Sequence, residues 1–417
     1  MDSDRSRTLT ATELPSTVSG RIQAEIESHR DRLLAFSHRL HENPETAHRE
    51  VKASSWLADE LRAVTGARVE HGLGNLATAV RGEIGTGDFV VTVCAEYDAL
   101  PGVGHACGHN IIATAALGAF VALAPLVDEL GLTVRLLGTP AEEAGGGKID
   151  LLRKGQFDGS HAVLMVHPGP EDRAKMATKA CAGYRVDYEG ASAHASVQPW
   201  LGVNALDAMT IALTSIGLAR QQLKPGQQIH GMISEGGDAP NIIPGTTSGL
   251  WMIRADSIDD LKDVHSKLTR CFEAGALATG ATLSITRSEH PYSAMTSDAE
   301  LNQRYFDNAA ALGRDIVFSD GSIGGSTDMA NVSNYFPSIH PTIGVGADAP
   351  PMHSAAFAET AASAAGDAAA IDAAVALALT AADAATDPVL RSRLIARPAP
   401  DTSDAGSELG SEHLTDE

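Results

Sequence analysis

Apolar residues gather in four short runs, and each run ends in a polar, chemically reactive loop. FVVTVCAEYDALPG begins at residue 89, TVRLLGTPAEEAGGG at 133, HAVLMVHPG at 161 and IHPTIGVGADAPPMHS at 339. Runs this short and this apolar, bounded by Gly and Pro, predict strands buried on both faces. Helix-like or longer sequence separates each from the next, which predicts an α/β fold with a mainly parallel sheet. Ligands of such sheets bind outside the carboxyl ends of the strands, where these four loops would gather.

Residues 183–290 have a different character. GYRVDYEG, GTTSGLWMIRAD and ATLSITRS are strand candidates, and NALDAMTIALTSIGLARQQ and SIDDLKDVHSKLTRCFEAGALATG are helix candidates between them. Strand, helix, strand, helix, strand suffices for a small α+β domain inserted into the larger one. The expected organisation is therefore a discontinuous domain over 20–182 and 291–392, an insert over 183–290, and flexible tails over 1–19 and 395–417. The last tail is rich in Pro, Ser, Asp and Glu, a composition that buries little apolar surface. The alanine-rich stretch 355–387 reads as a surface helix broken near Gly366. Residues 111–127 carry no charge over 17 positions. Their six alanines, glycine and late proline suit a buried core helix better than a membrane span.

Charge and cysteine content narrow the function. The chain has 53 acidic and 31 basic residues and a formal charge of −22, which argues against a nucleic-acid partner. The N-terminus lacks the apolar core of a secretory signal, and the four cysteines lie too far apart for a disulfide framework. A cytoplasmic protein with no membrane partner is the expectation.

In PGVGHACGHN, residues 101–110, His105, Cys107 and His109 fall two apart. That spacing scatters side chains around a helix but points them one way along an extended loop, so the motif should precede a helix starting near Gly108. A thiolate and an imidazole are good ligands for zinc or a similar divalent ion. Taken alone, the stretch reads more readily as a structural loop. Company from the other strand ends changes the balance. Glu142 and Glu143 sit side by side after a strand, where adjacent side chains diverge, and His167 and His353 sit at two further strand ends. Five potential ligands on four converging loops are economically explained by a two-metal hydrolytic centre.

From LHENPETAHRE through HACGHN, GTPAEEAGGGK, HPG, GASAHASVQPWLGVNA, NIIPG and GSTDMANVS to MHS, the chain resembles a metallopeptidase family. The family includes acetylornithine deacetylase, carboxypeptidase G and aminoacylase, and the nearest branch is that of auxin-conjugate and p-aminobenzoyl-glutamate hydrolases. The resemblance implies that Cys107, His109, Glu143, His167 and His353 hold two divalent ions (zinc, manganese or cobalt), with Glu142 as general base. It implies that Asp98 orients a ligand histidine, although the branch's aspartate pair reads Glu96, Tyr97, Asp98 here. The inserted domain would serve as lid and dimerisation domain, with His194 reaching the site of the other subunit of a homodimer to stabilise an oxyanion. Asn241 and Arg254 fall near positions that hold a substrate carboxylate. The implied reaction is hydrolysis of an N-acyl amino acid, an aminobenzoyl-glutamate-like conjugate or a small unusual dipeptide. Two other readings stand beside it. A cysteine amidase with Cys107 as nucleophile and His109 as base leaves Glu142, Glu143, His167 and His353 without roles. A non-catalytic binding protein on the same fold would be expected to lack a ligand or the base, and each of those positions is filled.

Overall fold

The computed structural model describes residues 17–318, 325–346 and 348–410. After three helices, Val18–Ser28, Arg30–Glu42 and Val51–Arg62, the chain forms β1 (Arg68–Leu73), β2 (Leu76–Gly85), β3 (Phe89–Ala95), β4 (Leu132–Gly138), β5 (Ala162–Leu164) and β6 (His167–Gly169). It continues through β7 (Ala180–Glu189), β8 (Gln228–Glu235), β9 (Thr246–Ala255) and β10 (Thr282–Arg287) and returns as β11 (Ser338–Ile339) and β12 (Thr342–Gly344).

One sheet has the order β1-β2-β4-β3-β5-β11. The pairs β3–β4, β3–β5 and β5–β11 are parallel, as expected from the four apolar runs. The β1–β2 hairpin adds two antiparallel strands at one side of the sheet, with β1 at the edge, so the sheet is mixed. Gly74 and Asn75 both take positive φ, 58° and 70°, the backbone that a two-residue hairpin turn requires. The runs at 161 and 339 each divide in two. Pro341 has no N–H to donate, and the parallel pairing resumes beyond it as the two-stranded sheet β12-β6.

The helix His109–Leu123 is buried along its whole length and packs in the core with the helix Ala364–Thr386. Among the described residues two segments, His109–Leu130 and Ala364–Thr386, are long and apolar enough to cross a membrane by length and composition, yet 89% and 83% of their best windows are buried in the protein. The expected surface helix over 355–387 is therefore core. Its break also lies earlier, between Ala355–Ala361 and Ala364–Thr386, where Ser363 caps the second helix by accepting from the amides of Ala365 and Gly366. Small side chains allow the close approach: a Cβ on Gly118 would meet Ala374 Cβ at 2.7 Å.

A second, wholly antiparallel sheet has the order β10-β7-β9-β8. The helices Ala205–Ala219 and Ile258–Thr279 share its apolar cluster. The chain enters and leaves this region side by side, since Cys181 and Tyr292 exchange both backbone hydrogen bonds at 2.9 Å.

The described structure reaches into both stretches expected to be flexible tails. Thr17 already caps the helix Val18–Ser28, and residues 1–16 and 411–417 lie outside the described residues. Between these limits residues 396–410 pack rather than trail: Thr402, Ala405 and Leu409 are buried. Arg153 donates to the Ala405 carbonyl at 2.5 Å, and Arg287 donates to that of Gly410 at 2.8 Å. Composition missed this because the anchors are small residues and backbone carbonyls.

Candidate metal centre

Four strand ends deliver the site. After β3 come Glu96 and Asp98, after β4 come Glu142 and Glu143, and β6 begins at His167. The fourth is the loop beyond β12, which carries His353, and Cys107 and His109 stand at the entrance to the long buried helix. Gly108 caps that helix with φ 79°. A Cβ there would also meet Pro168 Cγ at 2.6 Å, so both backbone angle and space call for glycine.

Asp98, fully buried, accepts from His109 Nδ1 at 3.0 Å through one oxygen and from the Glu143 amide at 3.0 Å through the other. A carboxylate here accepts only, so the His109 proton sits on Nδ1 and Nε2 faces inward. From Nε2 it is 3.4 Å to Glu96 Oε2, 3.7 Å to Glu143 Oε1 and 3.9 Å to Glu142 Oε2. His167 is oriented in the same manner. Its Nδ1 donates to the Pro168 carbonyl at 2.6 Å, leaving Nε2 to face Cys107 Sγ at 3.4 Å. His353 Nε2 lies 3.8 Å from Glu143 Oε1. Its backbone takes φ 63°, rare for a residue with a side chain, and its amide donates to the Ala106 carbonyl at 2.8 Å.

Three donor sets result among the described residues: Cys107, His109 and His167; Cys107, Glu143 and His353; and Glu96, His109 and Glu142. Within each, the ligand atoms lie within 4.8 Å of one another. His109 Nε2, Glu143 Oε1 and Glu96 Oε2 are buried without a hydrogen-bond partner. Bare carboxylate oxygens beside bare imidazole nitrogens are costly away from water, and divalent cations satisfy them. The residues present fit a metal pair.

Electrostatics follow from the same crowding. Burial pushes the Glu142 carboxyl well above the usual range, and Glu96 and Asp328 add to it. Burial brings His167 down to about 4, so its imidazole is neutral at physiological pH. Burial opposes charge on His109, but Asp98 and Cys107 outweigh it and raise its pKa. Burial also raises the Cys107 thiol.

A cleft of about 630 Å³ opens over these groups, lined by Cys107, Glu142, Glu143, His167 and His353 and by Arg254, Glu289 and Tyr292. Arg254 donates to Ser326 Oγ at 2.9 Å, and Tyr292 donates to the Glu142 carbonyl at 2.8 Å.

A family model described as Peptidase family M20/M25/M40 matches residues 92–380. The chain belongs to that family. This M20 chain is 39% identical over 383 residues to the Xaa-Arg dipeptidase of Mus musculus, a match covering 88% of each. It is 32% identical over 281 residues to one of the subunits of p-aminobenzoyl-glutamate hydrolase of Escherichia coli (strain K12), covering 62% of this chain and 58% of that one. Among solved structures, a dinuclear metal-binding M20 peptidase of Bacillus subtilis superposes with TM-score 0.64 at 22% identity, covering 85% and 98%. The aminobenzoyl-glutamate utilization protein of Klebsiella pneumoniae superposes with TM-score 0.67 at 16% identity, covering 86% and 98%. The M20 chain is accordingly a metallo-amidohydrolase or peptidase acting on amide or peptide bonds.

Several expected placements differ in the M20 structure. His105 does not join Cys107 and His109: residues 105–107 form a turn closed by a 3.0 Å bond from the Gly108 amide to the His105 carbonyl, and the His105 ring stacks on His41. Glu142 and Glu143 do not diverge. Ala141, with φ 59°, starts a turn that brings both carboxylates near the same His109 nitrogen. Arg254 lines the cleft; His194, expected to act in the site of a second copy, and Asn241 are exposed and lie outside this one. These two lie together instead, joined by the bridge between His194 and Ile242. Glu96, Lys148 and Asp328 were not singled out as site residues. Lys148, fully buried, binds Glu96 Oε1 and lies 2.7 Å from Asp328 Oδ1. A lysine directly after three glycines in the EE loop was the available signal.

Proposed function

We propose that the cleft hydrolyses the amide bond of a small dipeptide or N-acyl amino acid with a free carboxylate, using two divalent ions held by Cys107, His109, Glu143, His167 and His353. The unpartnered His109 Nε2 and Glu143 Oε1, buried at the meeting of the donor sets, carry this reading. Zinc, manganese and cobalt all accept such a ligand set. The ions supply Lewis acidity, making water a better acid and the amide carbonyl a better electrophile. Glu142 takes the proton of the attacking water and returns it to the departing amine. Tyr292, bonded to the Glu142 carbonyl, fixes the loop that aims it. Asp98 holds His109 in the tautomer with Nε2 facing inward.

For the substrate, Arg254 offers a planar fork to a carboxylate, and Glu289 in the same cleft offers a negative charge to a cationic side chain. A dipeptide ending in a basic residue uses both, and the relative named Xaa-Arg dipeptidase supports that choice. The deciding assay is a panel of Xaa-Arg and Xaa-Lys dipeptides, N-acyl amino acids and p-aminobenzoyl-glutamate, before and after chelation and readdition of each metal. Activity indifferent to chelation but abolished by thiol alkylation would replace this reading with a Cys107 nucleophile.

His194 is proposed to stabilise the oxyanion in the site of a second copy. Trp200 and Leu201, close to it in sequence, are 74% and 61% exposed, and seven of the eight residues of the edge strand β8 are exposed, which supports a homodimer. Mixing refolded H194A and E142A chains should then restore about a quarter of wild-type activity, because half of the dimers carry one intact site. If His194 served its own chain, mixing would restore none. Cytoplasmic residence is part of the same reading, supported by four free, buried cysteines.

A further inference from the structure

The family-derived ligand set leaves one carboxylate in the centre without a task. Glu96 is fully buried, and its two oxygens have different surroundings. Oε1 is held by the Lys148 ammonium, which is itself fixed by Asp328 Oδ1 at 2.7 Å, while the Lys148 amide donates to Asp328 Oδ2 at 2.9 Å. Oε2 has no partner and faces His109 Nε2, equally unpartnered, at 3.4 Å. Asp98 accepts a hydrogen bond from His109 Nδ1 on the far side of the ring. A carboxylate oxygen and a ring nitrogen thus face one another away from water without a hydrogen bond between them, and a divalent cation beside them would partner both. Lys148 and Asp328 prevent Glu96 from turning away, because rotation would break a buried ion pair.

We propose that Glu96 is a sixth donor of the metal centre, binding through Oε2 to the ion held by His109, and that Lys148 and Asp328 are the positioning residues that aim it. This rests on the two-metal reading above and adds a ligand to it. Lys148 also accounts for a monodentate mode: with Oε1 committed to the ammonium, only Oε2 is free. The hydrogen-bonded partner of a ligand carboxylate commonly matters nearly as much as the ligand.

The test is metal binding by E96Q, measured beside wild type. In that variant the amide oxygen turns to Lys148, so the NH2 group faces the donor set and repels a cation while size is conserved. Chelator-treated protein would be titrated with zinc against a competing chelator, and metal content and the visible spectrum of the cobalt-loaded form recorded. We expect wild type to bind two ions, and E96Q to bind one of them at least about tenfold more weakly with an altered cobalt spectrum. K148M gives an independent reading: Glu96 remains but is no longer aimed, and weakening of the same ion supports the proposal. E96Q that binds two ions at wild-type affinity with an unchanged cobalt spectrum would overturn it. So would a loss of metal-free stability in E96Q without any change in binding, which would make Glu96 a structural brace. Wild type that binds no ions would instead remove the two-metal reading itself.

Discussion

Replacing Lys148 by methionine removes the one positive charge from a triad in which lysine and both carboxylates are fully buried. Methionine fills a similar volume, so packing is nearly conserved and the change is mainly electrostatic. Breaking a buried pair by deleting one partner costs about 3–5 kcal/mol, because the other charge stays buried and uncompensated. Here one ammonium serves two carboxylates, so a loss of about 4 kcal/mol is expected for metal-free protein in urea unfolding followed by tryptophan fluorescence. Its pH dependence has a definite sign. Burial raises the Asp328 carboxyl to about 6, with Lys148 pulling it down, and without Lys148 it rises further. Between the ordinary value of 3.8 and that raised one, the folded state holds a proton that the unfolded state has lost, so stability falls as pH rises. The deficit of K148M should therefore be larger at about pH 8 than at about pH 5.5. A loss below about 1 kcal/mol, the range of an exposed ion pair, or a deficit that grows on acidification, would refute the reasoning.

E142Q should retain both metals and lose about 10²–10⁴-fold in kcat, read by steady-state kinetics with metal content checked in parallel. Burial lowers His105 to about 3 from 6.5, so the unfolded chain takes up a proton below 6.5 that the folded chain refuses. Stability is lost as pH falls, by about 2 kcal/mol at pH 5 from this group alone, and H105L should remove that part of the difference between urea midpoints at about pH 7.5 and pH 5. G108A should destabilise by more than about 1–2 kcal/mol, since the left-handed backbone alone costs that much and Pro168 leaves no room for the methyl; thermal unfolding of metal-free protein checks it.

What could be read from the chain and what could not divide by range. The strand-end loops were legible because buried parallel strands are apolar at nearly every position, so β3, β4, β5 and β11 stand out with the chemistry at their carboxyl ends. The β1–β2 hairpin was passed over although Gly74-Asn75 marks its turn, because its exposed edge breaks the apolar run. Side-chain direction was less accessible. Whether His105 joins Cys107 and His109 depends on one turn of backbone, and whether Glu142 and Glu143 diverge depends on a positive φ at Ala141. The Lys148 triad joins residues 52 and 180 positions apart, and no local pattern announces such a pairing.

The segment after Pro398 has a mechanical meaning. It crosses from Leu152, whose carbonyl accepts from Thr402, to Arg287 at the end of β10, so it ties the sheet that carries the donors to the sheet that carries Arg254. That tie is made by hydrogen bonds, whereas the chain itself passes between the two sheets at the paired strands of Cys181 and Tyr292. A turn of one sheet against the other would run about that pair and would strain the contacts of the C-terminal segment with Arg287. A chain cut after residue 398 keeps every donor yet loses those contacts, so its turnover should differ from the full chain in the admission of substrate and the escape of product, while the bond-breaking step measured in a single turnover stays the same.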